Sequence, residues 1–176
     1  MRKIVLIAGV VLVVLAMATT TVHAQTAAQN PAPTPRPAPT WEQLSLTLYR
    51  YTFRHMLTMA REFPEDKFDA KPYAEGRSFL EELWHVTAAA QATLARAKGE
   101  TPDRSKYATT TKPRNRDEIV TLLESATNEV AALHEKTPNP QIIGLMWDAN
   151  EHYAKMVVIY RMHGMVPPSS RRANPQ

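Results

Sequence analysis

"SFLEELWHVTAAAQATLARAKG", Ser78 to Gly99, is the stretch whose reading decides the fold. Ser78 stands three residues before Glu81, the spacing of a capping box, in which each side chain satisfies an early backbone N–H near the other. Phe79, Leu83, Val86, Ala90, Leu94 and Ala97 follow at steps of three and four, so they share one face of a helix. Gly99 supplies the left-handed residue that commonly ends one. Ala88, Ala89, Ala90 and Ala92 are small enough for a second helix to approach closely. An amphipathic helix with such a face needs helical partners, and the chain supplies three more.

Upstream, Thr40 to Gln43 is another capping box, followed by Trp41, Leu44, Leu48, Tyr51, His55 and Met59 at helical steps until Pro64. This stripe is expected to face the core. Downstream, Asn115 is expected to cap a third helix with Ile119, Leu122, Leu123, Ala126, Val130 and Leu133 inward. Pro138 and Pro140 separate it from a fourth that runs to about His163, before Gly164 and Pro167-Pro168. No period-two segment competes. The pattern predicts an all-α protein, a four-helix bundle over residues 41–168, with 169–176 as a flexible tail.

The chain has 176 residues, enough for one such domain. Its start reads differently. Arg2 and Lys3 precede an apolar run from Ile4 to Met17, too short for an ordinary membrane span, and Val22-His23-Ala24 offers small residues where a signal peptidase reads. Residues 1–24 are therefore expected to be a signal peptide cleaved after Ala24, giving a secreted or periplasmic protein with no membrane span after cleavage. An uncleaved anchor is the alternative. Residues 25–40 form a Pro-rich linker, in which "NPAPTPRPAPT" holds five of the chain's 14 prolines and is expected to be extended. There is no Cys, which excludes disulfides, a thiol nucleophile and a lipid-anchored leader. The net charge is +4, and loss of the leader lowers it by two. Basic residues are scattered without a stripe, which argues against nucleic-acid binding.

Two stretches could carry chemistry. His85 has Ala88 and Ala89 one turn on, which leaves room beside its ring. In the fourth helix Asp148 and His152 are four apart, so both project from one face about 6 Å apart along the axis. Such a pair can be a satisfied structural pair or two ligands of a metal site awaiting a third. Two imidazoles and a carboxylate would suit zinc, nickel, iron or manganese and leave positions open for a small-molecule substrate. Glu151 adjoins His152 but points about 100° away, so it is a salt-bridge residue, a partner that orients a ligand, or a general base; Glu82 reads similarly. His55 is either a core-edge imidazole or an extra ligand. Tyr153 and Tyr160 read as packing residues with polar tips, Arg161 as a structural partner, and His163 as part of the helix C-terminus. The eight Met residues are not clustered and read as adaptable core or pocket lining.

"RSFLEELWHVTAAAQATLARAKGE" and "ANEHYAKMVVIYRMHGMVPPSSRR" together resemble the secreted branch of the DinB-like superfamily over roughly Trp41 to Arg172. The most specific pieces are Ser78-Phe79, His85, Lys98-Gly99-Glu100 and Glu151-His152-Tyr153, followed by Tyr160-Arg161, Gly164 and Val166 to Ser170. The resemblance implies a four-helix bundle, in some relatives a homodimer. It also implies a divalent metal held by one His on the second helix and two ligands four apart on the last. His85 matches the first ligand and His152 the last. The middle ligand falls on Asp148, where the family has His, and Ala154 stands where it has Gly. The activity implied is a metal-dependent enzyme, hydrolase or transferase in type, with Glu151 a candidate base; the alternative is a non-catalytic binding bundle that keeps the scaffold.

Overall fold

The computed structural model describes residues 37–103, 105, 112–113 and 115–171. The described residues from Ala38 onward belong to one compact unit. The expected signal peptide and the linker up to residue 36 lie outside the described residues. Among the described residues every regular element is helical: α1 Trp41–Glu62, α2 Phe79–Ala97, α3 Arg116–Lys136 and α4 Gln141–Met162, with 3-10 turns at Glu65–Lys67 and Pro168–Ser170. None of these helices is long and apolar enough to cross a membrane.

Local chemistry sets the ends as the sequence implies. Both capping boxes form, Thr40 with Gln43 and Ser78 with Glu81. Asn115 accepts from the backbone N–H of Glu118 at 2.8 Å. Each cap contributes about 1 kcal/mol. Gly99 takes φ +80° at the end of α2, and Gly164 takes φ +74° after α4, where a side chain would be strained.

α1 and α2 each pack against both α3 and α4, which places α1 and α2 across one diagonal of the bundle. Helix directions follow from the cross-links. Thr52 bonds Asn150 at 3.1 Å and Tyr160 bonds Glu62 at 2.8 Å, so α1 and α4 run parallel. Ser45 meets His134 and Arg61 meets Glu124, so α1 and α3 are antiparallel. Glu82 meets His152 and His85 meets Asp148, so α2 and α4 are antiparallel. It follows that α2 and α3 run parallel. The α3–α4 turn is short and held by His134, whose Nδ1 accepts from the Asn139 N–H at 3.0 Å. That leaves Nε2 to donate to Ser45.

The core is continuous. Phe79, Leu83, Ile119, Leu123, Ile142, Met156 and Ile159 are fully buried from three helices, and Tyr49, Phe53, Met56 and Met59 come from α1. α2 and α3 bury the faces expected of them. α1 does not. Trp41, Leu44, Leu48 and Tyr51, expected inside, are about half exposed, while Ser45, Tyr49, Thr52, Phe53 and Met56 point inward. The reason is hydrogen bonding. Ser45 and Thr52 can be buried because each hydroxyl has a partner, Glu42 O and His134 for Ser45 and Asn150 for Thr52. Two hydroxyls therefore interrupt the true core stripe, and a purely apolar stripe lies on the flank.

The expected tail also differs. Residues 169–171 belong to the folded unit: Tyr153 donates to Ser169 Oγ at 2.6 Å, Arg161 to Ser170 Oγ at 3.0 Å, and Arg171 pairs with both oxygens of Glu62. Burial and the neighbouring Glu62 carboxylate push the Tyr160 hydroxyl up to about 12, so it stays a donor to Glu62.

Candidate metal centre

His85 lies in the second turn of α2, and Asp148 and His152 lie one turn apart on α4. The antiparallel register of these helices brings all three together. Asp148 Oδ1 is 3.7 Å from His85 Nε2 and 3.4 Å from His152 Nε2. One ligand atom from each of the three lies within 4.8 Å of the others. The imidazole centroids are 4.3 Å apart. Two atoms each about 2.1 Å from one ion in tetrahedral geometry stand about 3.4 Å apart. The observed separations are therefore close to those of ligands around a common point, and longer than hydrogen bonds between the three groups would be.

The surroundings orient these groups. His152 is buried, and its Nδ1 is 2.5 Å from Glu82 Oε2, itself 2 % exposed. A carboxylate can only accept here, so Nδ1 carries the proton and, in the neutral imidazole, Nε2 presents a lone pair toward Asp148 and His85. Asp148 Oδ2 is buried with no hydrogen-bond partner. An unpaired carboxylate oxygen out of water is costly, and a cation beside it would remove that cost. Burial, with help from His152 and Arg77, holds the His85 imidazole below its ordinary pKa against the opposing pull of Asp148 and Glu82. That favours the neutral, ligating form. The residues present thus fit a divalent cation.

His85 and Asp148 are the less buried members, each with a little over a third of its side chain exposed. They open onto a groove of about 290 Å³ between α2 and α4, with Ala89, Ala92 and Gly144 as small walls and Arg96 at one end. Ala88, the other small neighbour expected beside His85, is buried in the packing instead.

The other candidates lie elsewhere. Glu151 is exposed, and its carboxylate is 2.8 Å from Lys155 Nζ; that hydrogen bond holds it below the ordinary carboxylate range. It does not join the cluster, which removes the structural basis for a base role. His55 packs against Tyr51 and Tyr153 with ring centroids at 4.2 and 6.2 Å, outside the cluster. His163 Nδ1 donates to Ile159 O at 2.9 Å, closing the helix end. Glu82, for which the sequence left a salt bridge, a partner behind a ligand and a general base open, takes the place of the partner behind His152. The available signal was its place three residues before His85, on the same side of α2.

An antiparallel α2–α4 pair in a four-helix bundle, with a His/Asp/His cluster between them and a groove beside it, defines a class of bundle able to hold a metal ion. The family model described as the DinB superfamily matches residues 48–166. The chain belongs to that superfamily. Comparison with curated proteins and with solved structures finds no match.

Proposed function

We propose that the chain binds one divalent cation through His85, Asp148 and His152 and is an enzyme of hydrolase or transferase type acting on a small molecule in the adjoining groove. The observation that carries this reading is the spacing of the three ligand atoms, with His152 held in the ligating tautomer by Glu82. A bound cation would supply Lewis-acid polarisation of a substrate oxygen or activation of a nucleophile. The chain's own residues do the rest. Glu82 keeps the proton on His152 Nδ1, Asp148 offsets positive charge, and the small walls leave room for a substrate beside His85. Two nitrogens and one carboxylate suit iron, zinc, nickel or manganese.

Metal analysis of protein purified without an affinity tag tests the reading. About one equivalent of a transition metal is expected after loading and dialysis, and its loss in His152→Ala. Folded protein that retains none would refute it. A second reading, a binding bundle without catalysis, is favoured by the outward pairing of Glu151 with Lys155. Turnover of ester, amide or thiol-transfer substrates that disappears in His152→Ala would exclude that second reading. We further propose export, from Arg2-Lys3, the apolar run and Val22-His23-Ala24. N-terminal sequencing of envelope material is expected to begin at Gln25; a membrane-bound chain beginning at Met1 would instead make the segment an anchor.

A further inference from the structure

The groove beside the metal cluster holds more than a metal site requires. His85 and Asp148 stand at one end of it and Arg96 at the other. His85 and Arg96 both lie on α2, three turns or about 16 Å of helix axis apart. Side chains on a helix lean toward its N-terminus, so the Arg96 guanidinium can reach back along the groove and leave about 10 Å between itself and the ligand atoms. Arg96 is exposed and has no ion-pair partner among the described residues, whereas Lys98 in the next turn is 3.8 Å from Glu129. Thr93 lies between the two ends, one turn before Arg96 and on the same face. It is 8 % exposed, and its hydroxyl has no hydrogen-bond partner among the described residues, unlike Thr87 of the same helix, which donates to Leu83 O at 2.8 Å. A buried hydroxyl left unpaired is costly unless something else meets it. Gly144 forms the opposite wall, on α4. Its φ is not positive, and a Cβ added there would meet nothing within 4 Å. Neither a turn nor close packing therefore calls for glycine, which inside a helix is less favourable than alanine. What the missing side chain leaves is space in the groove.

We propose that this groove takes an elongated carboxylic acid, whose carboxylate is received by Arg96 and Thr93 while its reacting group lies at the metal cluster. This rests on the metal-enzyme reading above and names its substrate class. A planar guanidinium matches a carboxylate through two parallel N–H donors, and the Thr93 hydroxyl can donate a further hydrogen bond to the acid. One cation balances one negative charge. A phosphate dianion would be left half compensated, because no other Lys or Arg lines the groove. Between the two ends the walls are small on both helices, Ala89 and Ala92 on α2 and Gly144 on α4, so the middle of the groove admits a slim chain and offers it no charge. Arg96 also suits the negative end of the α2 dipole, but that role alone would leave the Thr93 hydroxyl unpaired and Gly144 without a purpose.

Binding of zinc-anchored acids to the full chain tests the proposal. The probe is suberic acid monohydroxamate, whose hydroxamate chelates zinc and whose carboxylate lies at the far end of its chain, compared with the primary amide of that carboxylate. On the zinc-loaded native chain the acid should bind about five- to tenfold more tightly than the amide, the size of a half-exposed ion pair with one added hydrogen bond. Arg96→Gln should abolish that preference with zinc content unchanged. Thr93→Val should reduce it, and Gly144→Leu should weaken acid and amide alike. Malonic acid monohydroxamate, too short to span the groove, should show no preference over its own amide. Calorimetry gives the affinities, and metal analysis of the same samples gives the zinc content. A native chain that holds zinc but binds the suberic acid and amide probes equally overturns the proposal and leaves the metal reading standing. So does a preference that survives in Arg96→Gln, or one of equal size for the malonic pair. A native chain that retains no zinc overturns both.

Discussion

Removing Glu82 should damage metal binding more than it damages the fold. In Glu82→Ala the 2.5 Å contact to His152 Nδ1 is lost, and both residues are almost wholly buried, so bulk water is a poor substitute. Two consequences follow. The imidazole is free to shift its proton to Nε2, the atom that faces Asp148, and the ring is free to turn. Loss of a carboxylate that orients a ligating histidine costs about 10- to 100-fold in metal affinity, or about 1.4–2.7 kcal/mol. The stranded N–H costs roughly 1–3 kcal/mol of stability in the metal-free protein, partly offset because a buried charge is also removed. Glu82→Gln separates orientation from charge: its side-chain oxygen can still accept from Nδ1–H, so affinity should stay within about fivefold of native. Titration calorimetry with zinc gives the affinities, and melts without metal give the fold cost. A folded Glu82→Ala protein that binds zinc within about twofold of native would falsify the tautomer argument. Equal losses in the Gln and Ala variants would show that the negative charge matters rather than the hydrogen bond.

Asp148→His should bind zinc or nickel more tightly, because three nitrogens make a softer set, and Asp148→Ala should bind any ion more weakly at unchanged helix content; competition against a chelating dye measures both. The clasp between Arg171 and Glu62 should be acid-sensitive. Hydrogen bonding from Arg171 holds the Glu62 carboxyl below its ordinary 4.5 in the folded chain, so its stabilising contribution is present above that value and lost as pH falls through the lowered one. The melting-temperature gap between native and Arg171→Gln protein should therefore be larger at pH 7 than at pH 3, and an equal gap at both would show that the ion pair is not its source.

The sequence made α2 and α3 legible because their core stripes are made almost entirely of apolar residues and their caps are side chains with one geometric use. α1 was misread for a physical reason. Its inward face includes Ser45 and Thr52, hydroxyls whose burial is paid for by partners on α3 and α4, and no local pattern shows where those partners are. The metal cluster was half visible. Asp148 and His152 declare themselves by one-turn spacing, while His85 needed the family resemblance, because which residue of α2 faces them depends on the register between two helices 70 positions apart in sequence. Which of the open roles Glu82 takes, and that it faces His152, was hidden for the same reason. The Ser169–Arg171 segment looked like a tail because its anchors, Glu62, Tyr153 and Arg161, lie on other elements.

α4 brings these threads together, because it is apolar on more than one side. Ile142, Leu145, Ala149, Met156 and Ile159 face the core; Asp148 and His152 face α2; Ile143, Trp147 and Val158 face outward. Its outward side is mixed, with Glu151, Lys155 and Arg161 among the apolar residues, and α4 packs chiefly against α1 and α2. In its N-terminal half the adjacent residues Trp147, exposed, and Asp148, beside α2, are separated only by the 100° turn of the helix. Trp147→Glu should therefore leave zinc affinity, measured by calorimetry, within about twofold of native, whereas Asp148→Ala should lower it. Were Trp147→Glu to lose metal at unchanged helix content, the outward side and the metal groove would be coupled through α4.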